Sequence, residues 1–526
     1  MEARSTGLSY WIDSVKVQDR PPLAEDLRAD VCVIGAGIAG LTTAYLLAKE
    51  GRSVAILEDG SIGQGMTGFT TAHLTCALDD RYYELERYHG EQKIRLAAES
   101  HSKAIDCIER IVTDEQIDCD FLRVDGFLFV PPGDTLDALD RELDAVHRAG
   151  LLGVAKVRKA PIEAFDTGIA LHFANQGQFH PLKYLDGLAR AIERLGGRLF
   201  CHTHATSLEG GENAQVETRQ GAIVSADAIV VATNVPFNDR LVIHTKQAPY
   251  TTYVIGAEIA PGAATTALYW DTRQSKDDSA SGDAPYHYVR LAPRAVQGAK
   301  DILIVGGEDH KSGQEADAQD RFARLENWTR ERWAGIETVV FRWSGQVMEP
   351  ADGMAFIGRN PMDKPNVYVV AGDSGNGMTH GTISGLLLTD LILDRRNEWE
   401  SLYDPGRVIL RTAADFVKEN VNVAAQYAKG YLGGGEVEGT DDIQPGKGAV
   451  IRRGVKKVAV FRDESGMLHE LSAVCPHLGC IVAWNNVEKT WDCPCHGSRF
   501  DKMGNVINGP ANTDLEILNT EVRTAH

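Results

Sequence analysis

Cysteine and histidine side chains are concentrated in two short segments near the C-terminal end of this 526-residue chain. Residues 475–480 read CPHLGC, and residues 493–498, a short strand-turn-strand later, read CPCHGS. Thiolate sulfur and neutral imidazole nitrogen are ligands of zinc and of iron–sulfur clusters. The pattern therefore predicts a metal centre, and an iron–sulfur centre would give the chain an electron-transfer role.

The two segments resemble the ligand loops of Rieske 2Fe–2S proteins. In such a centre Cys475 and Cys493 would bind one iron as thiolates, and His477 and His496 would bind the other as neutral imidazoles. The alternative is a zinc ribbon, which needs two matched Cys-x-x-Cys knuckles, whereas the first segment here contains Cys-x-His. The resemblance thus implies a 2Fe–2S cluster that carries one electron at a time.

Within the Rieske proteins, the segments most resemble the domains of respiratory and photosynthetic cytochrome complexes, which carry an extra cysteine pair. This resemblance implies a disulfide between Cys480 and Cys495 that clips the two loops over the cluster. Ser498 fits the same resemblance as a hydroxyl donor to a cluster sulfur, but Phe500 stands where those domains usually carry tyrosine. Because a lost donor leaves the reduced, more negative cluster less stabilised, we expect a lower reduction potential.

A second set of residues with chemical meaning lies near the N-terminus, where residues 35–40 read GAGIAG between an apolar strand and a helix. Gly35 permits a tight turn, Gly37 lets the backbone approach a pyrophosphate, and Gly40 lets the helix pack against the strand. Glu58 ends the following strand, where an acid binds the ribose hydroxyls of adenosine. The pattern predicts a bound dinucleotide.

Three features favour FAD over NAD as this dinucleotide. The fingerprint lies near the N-terminus, and no second one follows it. A late strand over residues 369–373 ends in an acid that would bind the ribityl-phosphate part of a flavin. Residues 376–381 open the next helix, whose backbone amides would face the flavin pyrimidine ring. The flavin-binding residues predicted from these two segments are Gly372, Asp373, Gly377, Met378 and Thr379.

Residues 8–400 resemble the D-amino-acid-oxidase-like family of FAD enzymes, which includes glycine, sarcosine and γ-glutamylputrescine oxidases. The resemblance also rests on the strand at 229–234, on the turn at 349–353 and on residues 61–75, which lie along the flavin in that family. It implies oxidation of an amine or amino acid at its C–N bond. The flavin contacts implied in the last segment are Thr67, Thr70 and Thr71.

Candidate catalytic residues come from a strand-rich insert and from the late helix. Residues 286–290 read YHYVR along a predicted strand, so Tyr288 and Arg290 share one face. An aromatic ring beside a guanidinium would cage an ammonium and anchor a carboxylate; a sheet face with an exposed arginine is the alternative. His380 opens the helix beside the flavin. We predict Tyr288, Arg290 and His380 as catalytic residues.

The elements that would position these residues divide the chain into an oxidoreductase (1–432), a linker (433–442) and a Rieske domain (443–526). Residues 30–60 predict a βαβ unit, and alternating strands follow from about 251 to 345. The predicted fold is an α/β FAD-binding domain, Rossmann-like with a mixed sheet, with an inserted antiparallel substrate domain and a C-terminal all-β Rieske domain. The predicted parts are FAD-binding (about 28–80, 175–240, 345–400), substrate-binding (about 81–174, 241–344) and a helical connector (405–432).

Composition restricts the partners and the compartment. A net charge of -20 argues against nucleic acid and against anionic membrane surfaces. No apolar run approaches the roughly 18 residues that a membrane span needs, and the N-terminus shows neither a signal core nor twin arginines. Five of the nine cysteines are scattered without framework spacing. We therefore expect a cytoplasmic protein, with the Cys480–Cys495 bridge as a buried local exception.

Together the two predicted cofactors imply a converter between two-electron and one-electron chemistry. An amine or amino acid would reduce FAD, and the cluster would pass electrons singly to an external acceptor, a protein or a quinone-like molecule. The alternative is a reductase fed by NADH or NADPH, which needs a second nucleotide fingerprint. A Rieske oxygenase would need a mononuclear iron with two further histidines, and a redox sensor switched by the disulfide would need no substrate.

Overall fold

The structure, a computed structural model, describes residues 7–131, 135–238, 243–272, 286–294, 299–315, 317–408 and 413–519. The helices in these ranges are α1 (Tyr10–Ser14), α2 (Ile38–Lys49), α3 (Tyr82–His89), α4 (Glu91–Asp114), α5 (Asp137–Arg148), α6 (Pro181–Arg194), α7 (Ala318–Arg332), α8 (Gly377–Ile392), α9 (Glu400–Tyr403) and α10 (Ala413–Leu432). Within the same ranges, no helix combines the length and the apolar character that crossing a bilayer requires.

The strands fall into four sheets. Those of the first two sheets are β1 (Leu27–Ile34), β2 (Val54–Leu57), β3 (His73–Leu74), β4 (Leu122–Phe129), β5 (Ala155–Val157), β6 (Ala170–Gln178), β7 (Arg198–Phe200), β8 (Ala205–Glu209), β9 (Ala214–Thr218), β10 (Ile223–Val231), β11 (Gln247–Ile259), β12 (Leu268–Asp271), β13 (His287–Ala292), β14 (Asp301–Lys311), β15 (Ile336–Pro350), β16 (Phe356–Arg359) and β17 (Val367–Ala371). Those of the last two are β18 (Lys447–Arg453), β19 (Lys456–Arg462), β20 (Leu468–Ser472), β21 (Ala483–Asn485), β22 (Thr490–Asp492), β23 (Arg499–Asp501), β24 (Val506–Asn508) and β25 (Ile517–Asn519).

The first sheet has eight strands and carries the glycine-rich turn. Its order is β16-β17-β10-β1-β2-β7, with β9 beside β10 and β8 beside β9. The inner strands run parallel, whereas β16 and β9 pair antiparallel with their neighbours. Val31, Cys32 and Val33 in β1 are fully buried because α2 and other elements cover the central strands of the sheet. The predicted βαβ unit is β1-α2-β2.

The second sheet has nine strands in the order β15-β11-β14-β13-β12-β4-β6-β3, with β5 beside β6. Its pairs are antiparallel except for β4 with β12, which run parallel. This exception arises where the sheet joins strands from two distant stretches of chain, between which no hairpin fixes an antiparallel pairing. The short strand β3 brings the segment after the glycine-rich turn to the end of this sheet.

The C-terminal part consists of two four-stranded antiparallel sheets, β18-β19-β20-β25 and β21-β22-β23-β24. Trp491 and Phe500 are fully buried in one core with Cys475 and Cys493. The predicted architecture, a mixed α/β sheet, an antiparallel insert and an all-β C-terminal part, is confirmed.

Candidate functional site

The glycine-rich turn joins β1 to α2 and shows why each of its three spaced glycines is needed. Gly35 has a φ of 105°, and a Cβ added there would lie 2.5 Å from Ala232 O. A Cβ added at Gly40 would overlap Gly35 O, so the helix could not approach the turn. Gly37 caps α2, and a Cβ added there would meet only Thr67 Oγ1, at 3.1 Å. The side of the turn at Gly37 is therefore open to a ligand.

Glu58 closes this end of the site. Its Oε2 accepts a hydrogen bond from Ala36 N at 2.6 Å, and its Oε1 accepts one from Gly60 N at 3.0 Å. Burial raises the pKa of this carboxyl, although both backbone donors favour the ionised form. The predicted ribose-binding acid thus also holds the glycine-rich turn in place.

One continuous cavity runs from the glycine-rich turn to the second sheet. The predicted flavin-binding residues that line it are Gly35, Gly37, Glu58, Thr67, Thr70, Thr71, Asp373, Gly377 and Met378. The remaining three predicted residues do not line the cavity but pack behind the residues that do; they are Gly40, Gly372 and Thr379. Thr379, for example, is fully buried, and its Oγ1 lies 2.8 Å from His101 Nδ1. The structure therefore brings the two predicted flavin segments and the fingerprint to one space.

His380 presents a hydrogen-bond acceptor to the cavity. Its Nδ1 lies 2.8 Å from Asp373 O, and because a carbonyl can only accept, Nδ1 carries the proton and Nε2 does not. Burial lowers the pKa of His380 to about 4, so the ring is neutral near pH 7. His380 can accept a hydrogen bond from a ligand but is a weak base.

The cavity residues fit FAD. The N-termini of α2 and of α8, whose N-cap residue is Asn376, both lie at the cavity, so helix dipoles favour negative charge there. Two buried lining atoms, Asn234 Nδ2 and His380 Nε2, have no hydrogen-bond partner among the described residues. Polar atoms in this state match a ligand that both accepts and donates hydrogen bonds, as a flavin ring and its ribityl chain do.

The two candidates on β13 differ in their surroundings. Tyr288 lines the cavity, and its hydroxyl lies 2.5 Å from Thr252 Oγ1. Arg290 is 2% exposed, and its Nη1 donates to the carbonyl oxygens of Thr71, Ala72 and Phe179 at 3.3, 2.8 and 3.0 Å. Arg290 therefore holds the flavin segment in place from behind the cavity wall, and the alternative of an exposed arginine is wrong.

Several cavity residues carry no sequence motif. His73 Nε2 lies 3.2 Å from Val289 O, so it donates, and Nδ1 accepts from Thr71 Oγ1 at 3.0 Å. The His73 ring also contacts Trp270 and Tyr288, with centroids 5.7 and 5.9 Å away, which forms an aromatic wall. The β-strand periodicity of YHYVR pointed to Tyr288, and the resemblance placed His73 within the flavin segment 61–75, but no sequence signal identified Trp270.

The cysteines and histidines of the C-terminal part lie in two facing loops. Cys480 and Cys495 form the disulfide that the resemblance implied. The rings of His477 and His496 are 5.0 Å apart between centroids, and Cys475 and Cys493 are buried free thiols.

The loops are fixed by backbone hydrogen bonds, from Cys475 N to Cys480 O at 2.8 Å and from Gly497 N to Cys493 O at 3.1 Å. Burial, and to a smaller extent the electrostatic effect of the nearby His244, lowers the pKa of His496 to about 4. The imidazole of His496 is therefore in the neutral, metal-binding form. Since the disulfide occupies the other two sulfurs, the remaining donors are two thiols and two imidazoles. This donor set fits a Rieske cluster.

A third segment, residues 506–512, consists of β24 and the loop that begins at Asn508 (the third loop), and it belongs to both sites. Ala511 N donates to Ser498 Oγ at 3.0 Å, which ties the loop to the second cysteine segment. Asn508, Gly509, Ala511 and Asn512 also line the cavity that contains Gly37. The C-terminal part therefore forms a wall of the cavity.

The oxidoreductase part covers the cluster loops. The ring of His244, which is buried, lies 4.8 Å from that of His477 and 6.2 Å from that of His496. His204 Nε2 donates to Asn512 O at 3.1 Å, and Asn512 Nδ2 donates to Ala205 O at 3.0 Å. The predicted iron-ligand histidines thus face the oxidoreductase part.

Comparisons with known proteins agree with both sites. A family model described as FAD dependent oxidoreductase matches residues 30–391, and one described as Rieske [2Fe-2S] domain matches residues 435–519. A relative from Bacillus subtilis (strain 168), named as a Rieske 2Fe-2S iron-sulfur protein, YhfW, is 33% identical over 99% of each chain. The gamma-glutamylputrescine oxidoreductase of Escherichia coli (strain K12) is 27% identical over 73% of this chain and 88% of its own.

Among solved structures, the glycine oxidase from Geobacillus kaustophilus superposes with a TM-score of 0.59 at 18% identity. The match covers 73% of this chain and 100% of that chain. At this identity the likeness concerns the fold alone.

Proposed function

The chain belongs to the family of FAD dependent oxidoreductases and ends in a Rieske [2Fe-2S] domain, and from this premise we propose that it oxidises an amine or amino acid at its C–N bond and passes the electrons through the cluster to an external acceptor. The family matches confirm the predicted enzyme class and both cofactors, FAD and the 2Fe–2S cluster. We place the division between the two parts at the linker 433–442.

The observation that carries the proposal is the wall shared by the two sites. Residues 506–512 cover the cluster loops and line the FAD cavity. When bound, FAD supplies a two-electron acceptor and the cluster a one-electron carrier. Oxidation of one C–N bond to an imine, which water then hydrolyses, releases two electrons and two protons. Each substrate molecule therefore requires two successive one-electron transfers to the acceptor.

The residues of the cavity support an amine substrate. Trp270 and Tyr288 form an aromatic wall with His73, a surface that attracts an ammonium group. Asp79 and Glu349 add carboxylates to the lining, and these favour a cationic ligand. The name of the relative from E. coli refers to an amine, and that of the Geobacillus structure to an amino acid, so both substrate classes belong in the test.

Anaerobic mixing tests the proposal. Holoenzyme is mixed separately with a panel of amines and amino acids, with NADH and with NADPH, while flavin absorbance and the electron paramagnetic resonance (EPR) signal of the reduced cluster are recorded. We expect an amine or amino acid to bleach the flavin and then reduce the cluster, with two molecules of a one-electron dye consumed per substrate. Bleaching by NADPH without any amine would instead support the alternative, a reductase fed by NAD(P)H.

A cluster variant separates the two halves of the reaction. His477→Ala should leave reduction of the flavin by substrate nearly intact and abolish transfer to a one-electron acceptor, because it removes a predicted iron ligand but no residue of the cavity lining. Equal loss of both steps would contradict the relay.

A further inference from the structure

We infer that Gln346 is a positioning residue that joins the FAD cavity to the Rieske cluster and sets the rate at which electrons pass between them. The inference rests on the proposed function, because it assigns one side chain to the relay between the two cofactors. Gln346 lies on β15 of the oxidoreductase part and is 2% exposed. It carries no sequence motif and lies outside both predicted ligand sets.

The side chain of Gln346 contacts three separate structures. It lines the FAD cavity. Its Nε2 donates a hydrogen bond to Gly497 O at 2.9 Å, in the second cysteine segment, and its Oε1 accepts one from Asn508 Nδ2 in the third loop. Because the donor faces a carbonyl and the acceptor faces an amide, the orientation of the Gln346 side chain is fixed.

Both hydrogen-bond partners of Gln346 belong to segments that surround the predicted cluster. Gly497 follows His496, a predicted iron ligand, in the chain. Asn508 begins the loop whose Ala511 N donates to Ser498 Oγ, in the same cysteine segment. The backbone of Gln346 is also held from the flavin side, since its N–H lies 3.1 Å from Met66 Sδ. One residue thus connects the flavin segment, the cavity, the second cysteine segment and the third loop.

A matched control exists on the same interface. Gln314 is another glutamine of the oxidoreductase part, and its Nε2 donates to Pro494 O at 3.3 Å and to Asn422 Oδ1 at 2.8 Å. It therefore contacts the same cysteine segment as Gln346, but among the described residues it lies outside the lining of the FAD cavity. Gln314→Leu weakens docking of the cluster loop, whereas Gln346→Leu also breaks the connection to the cavity.

The test measures transfer from flavin to cluster without any substrate. Anaerobic holoenzyme is reduced by a pulse of light with deazaflavin and EDTA, and the appearance of the reduced cluster is followed in wild type, Gln346→Leu, Gln346→Glu and Gln314→Leu. Each transfer moves one electron, oxidises the reduced flavin by one equivalent and reduces the cluster by one. FAD content, the EPR spectrum of the reduced cluster and both midpoint potentials are measured on the same samples.

We expect Gln346→Leu to slow cluster reduction by about tenfold, because it removes both hydrogen bonds that hold the second cysteine segment and the third loop at β15 and so changes the position of the cluster relative to the FAD cavity. Gln346→Glu keeps the acceptor for Asn508 and loses the donor to Gly497, so its rate should lie between those of wild type and Gln346→Leu. Gln314→Leu should remain within about twofold of wild type. FAD content, EPR spectrum and potentials should be unchanged in Gln346→Leu and Gln314→Leu. The added carboxylate of Gln346→Glu should lower the potentials of cofactors bound beside it, so its rate is compared after correction for that shift.

Two results would overturn the inference. One is an equal rate in Gln346→Leu and Gln314→Leu, and the other is a slower rate fully explained by a shifted potential. If Gln346→Leu does not fold, Asn508→Ala removes one of the same hydrogen bonds from the other side, and an unchanged rate there would also refute it. Wild type that never transfers electrons from flavin to cluster would refute the proposed relay itself, which is a different outcome.

Discussion

Replacement of two glycines in the same turn should separate loss of FAD from loss of the fold. Gly37→Val places its side chain in the cavity, because the nearest atom to an added Cβ is Thr67 Oγ1, at 3.1 Å. Gly40→Ala instead places a methyl group against the backbone of Gly35. The first change occupies the space predicted for the pyrophosphate, and the second prevents α2 from packing on its own turn.

The geometry gives different magnitudes for the two variants. Forcing extra methyl groups into a filled site costs about 1–3 kcal/mol, and each ~1.4 kcal/mol is a tenfold change in a binding constant. We therefore expect Gly37→Val to weaken FAD binding by roughly 5- to 150-fold while the apoprotein keeps its stability. For Gly40→Ala the clash is with backbone that cannot rotate away, so we expect a loss of unfolding free energy of about 3 kcal/mol or more.

Two measurements decide between these expectations: the dissociation constant of FAD titrated into the apoprotein, and the urea midpoint of the apoprotein. Gly153→Val is the control, because an added Cβ at Gly153 has no atom within 4 Å. It should change neither quantity. An unchanged FAD dissociation constant in Gly37→Val would refute the assignment of this turn to the pyrophosphate, and a stable Gly40→Ala apoprotein would refute the packing argument.

Three further predictions concern the C-terminal core and one buried ion pair. Replacing Cys480 and Cys495 by serine opens a loop with a sequence separation of 15, so we expect the unfolding free energy of the C-terminal part to fall by about 3 kcal/mol. Cluster absorbance should then be lost at a lower urea concentration, and an unchanged urea midpoint would contradict a stabilising role of the disulfide. Phe500→Tyr adds a hydroxyl donor in the core around the cluster, and a hydrogen bond of about 1 kcal/mol should raise the one-electron reduction potential of the cluster by about 40 mV. An EPR-monitored redox titration measures this potential, and a lower value would contradict the reasoning. Arg407 donates to both carboxylate oxygens of Asp352 at 2.6 and 2.8 Å, so Arg407→Met should cost about 3–5 kcal/mol. Burial tends to raise the pKa of Asp352, but Arg407 outweighs burial and lowers the pKa. The stability that this pair gives the wild type is therefore present above about pH 4 and is lost as the pH falls further. Denaturation measured against pH should show this loss in the wild type and not in the variant.

The features that could be predicted from the sequence are those that local chemistry determines. A turn that approaches a pyrophosphate must have glycine at 35 and 37, and a thiol and an imidazole that bind one cluster must lie within a few residues of each other. The strand periodicity likewise placed Tyr288 on the cavity side. Each of these inferences depends on spacing within a short stretch, which the sequence displays directly.

The features that could not be predicted depend on pairs far apart in the chain. Arg290 carries the right chemistry for a carboxylate anchor, but its Nη1 donates to the carbonyls of Ala72 and Phe179, which lie 218 and 111 residues away in sequence, and the side chain lies behind the cavity lining. Gln346 and Asn508 are separated by 162 residues; Asn508 opens the segment NGPA, which resembles the loop that covers the cluster in Rieske domains, but Gln346 belongs to no motif. Strand pairing across the second sheet determines the first arrangement, and contact of the C-terminal part with β15 determines the second. Periodicity within one strand carries no information about either.

The polar character of the contact between the two parts has a consequence for how they exchange electrons. Asn512 uses its side-chain amide on Ala205 O and Thr206 O, at 3.0 and 2.9 Å, rather than on its own loops. Each such bond contributes only about 0.5–1.5 kcal/mol, which is small beside the apolar cores that hold each part together. A single polar substitution at this contact can therefore move the cluster relative to the FAD cavity while both cofactors stay bound, so the electron-transfer rate should respond to these residues more strongly than stability does.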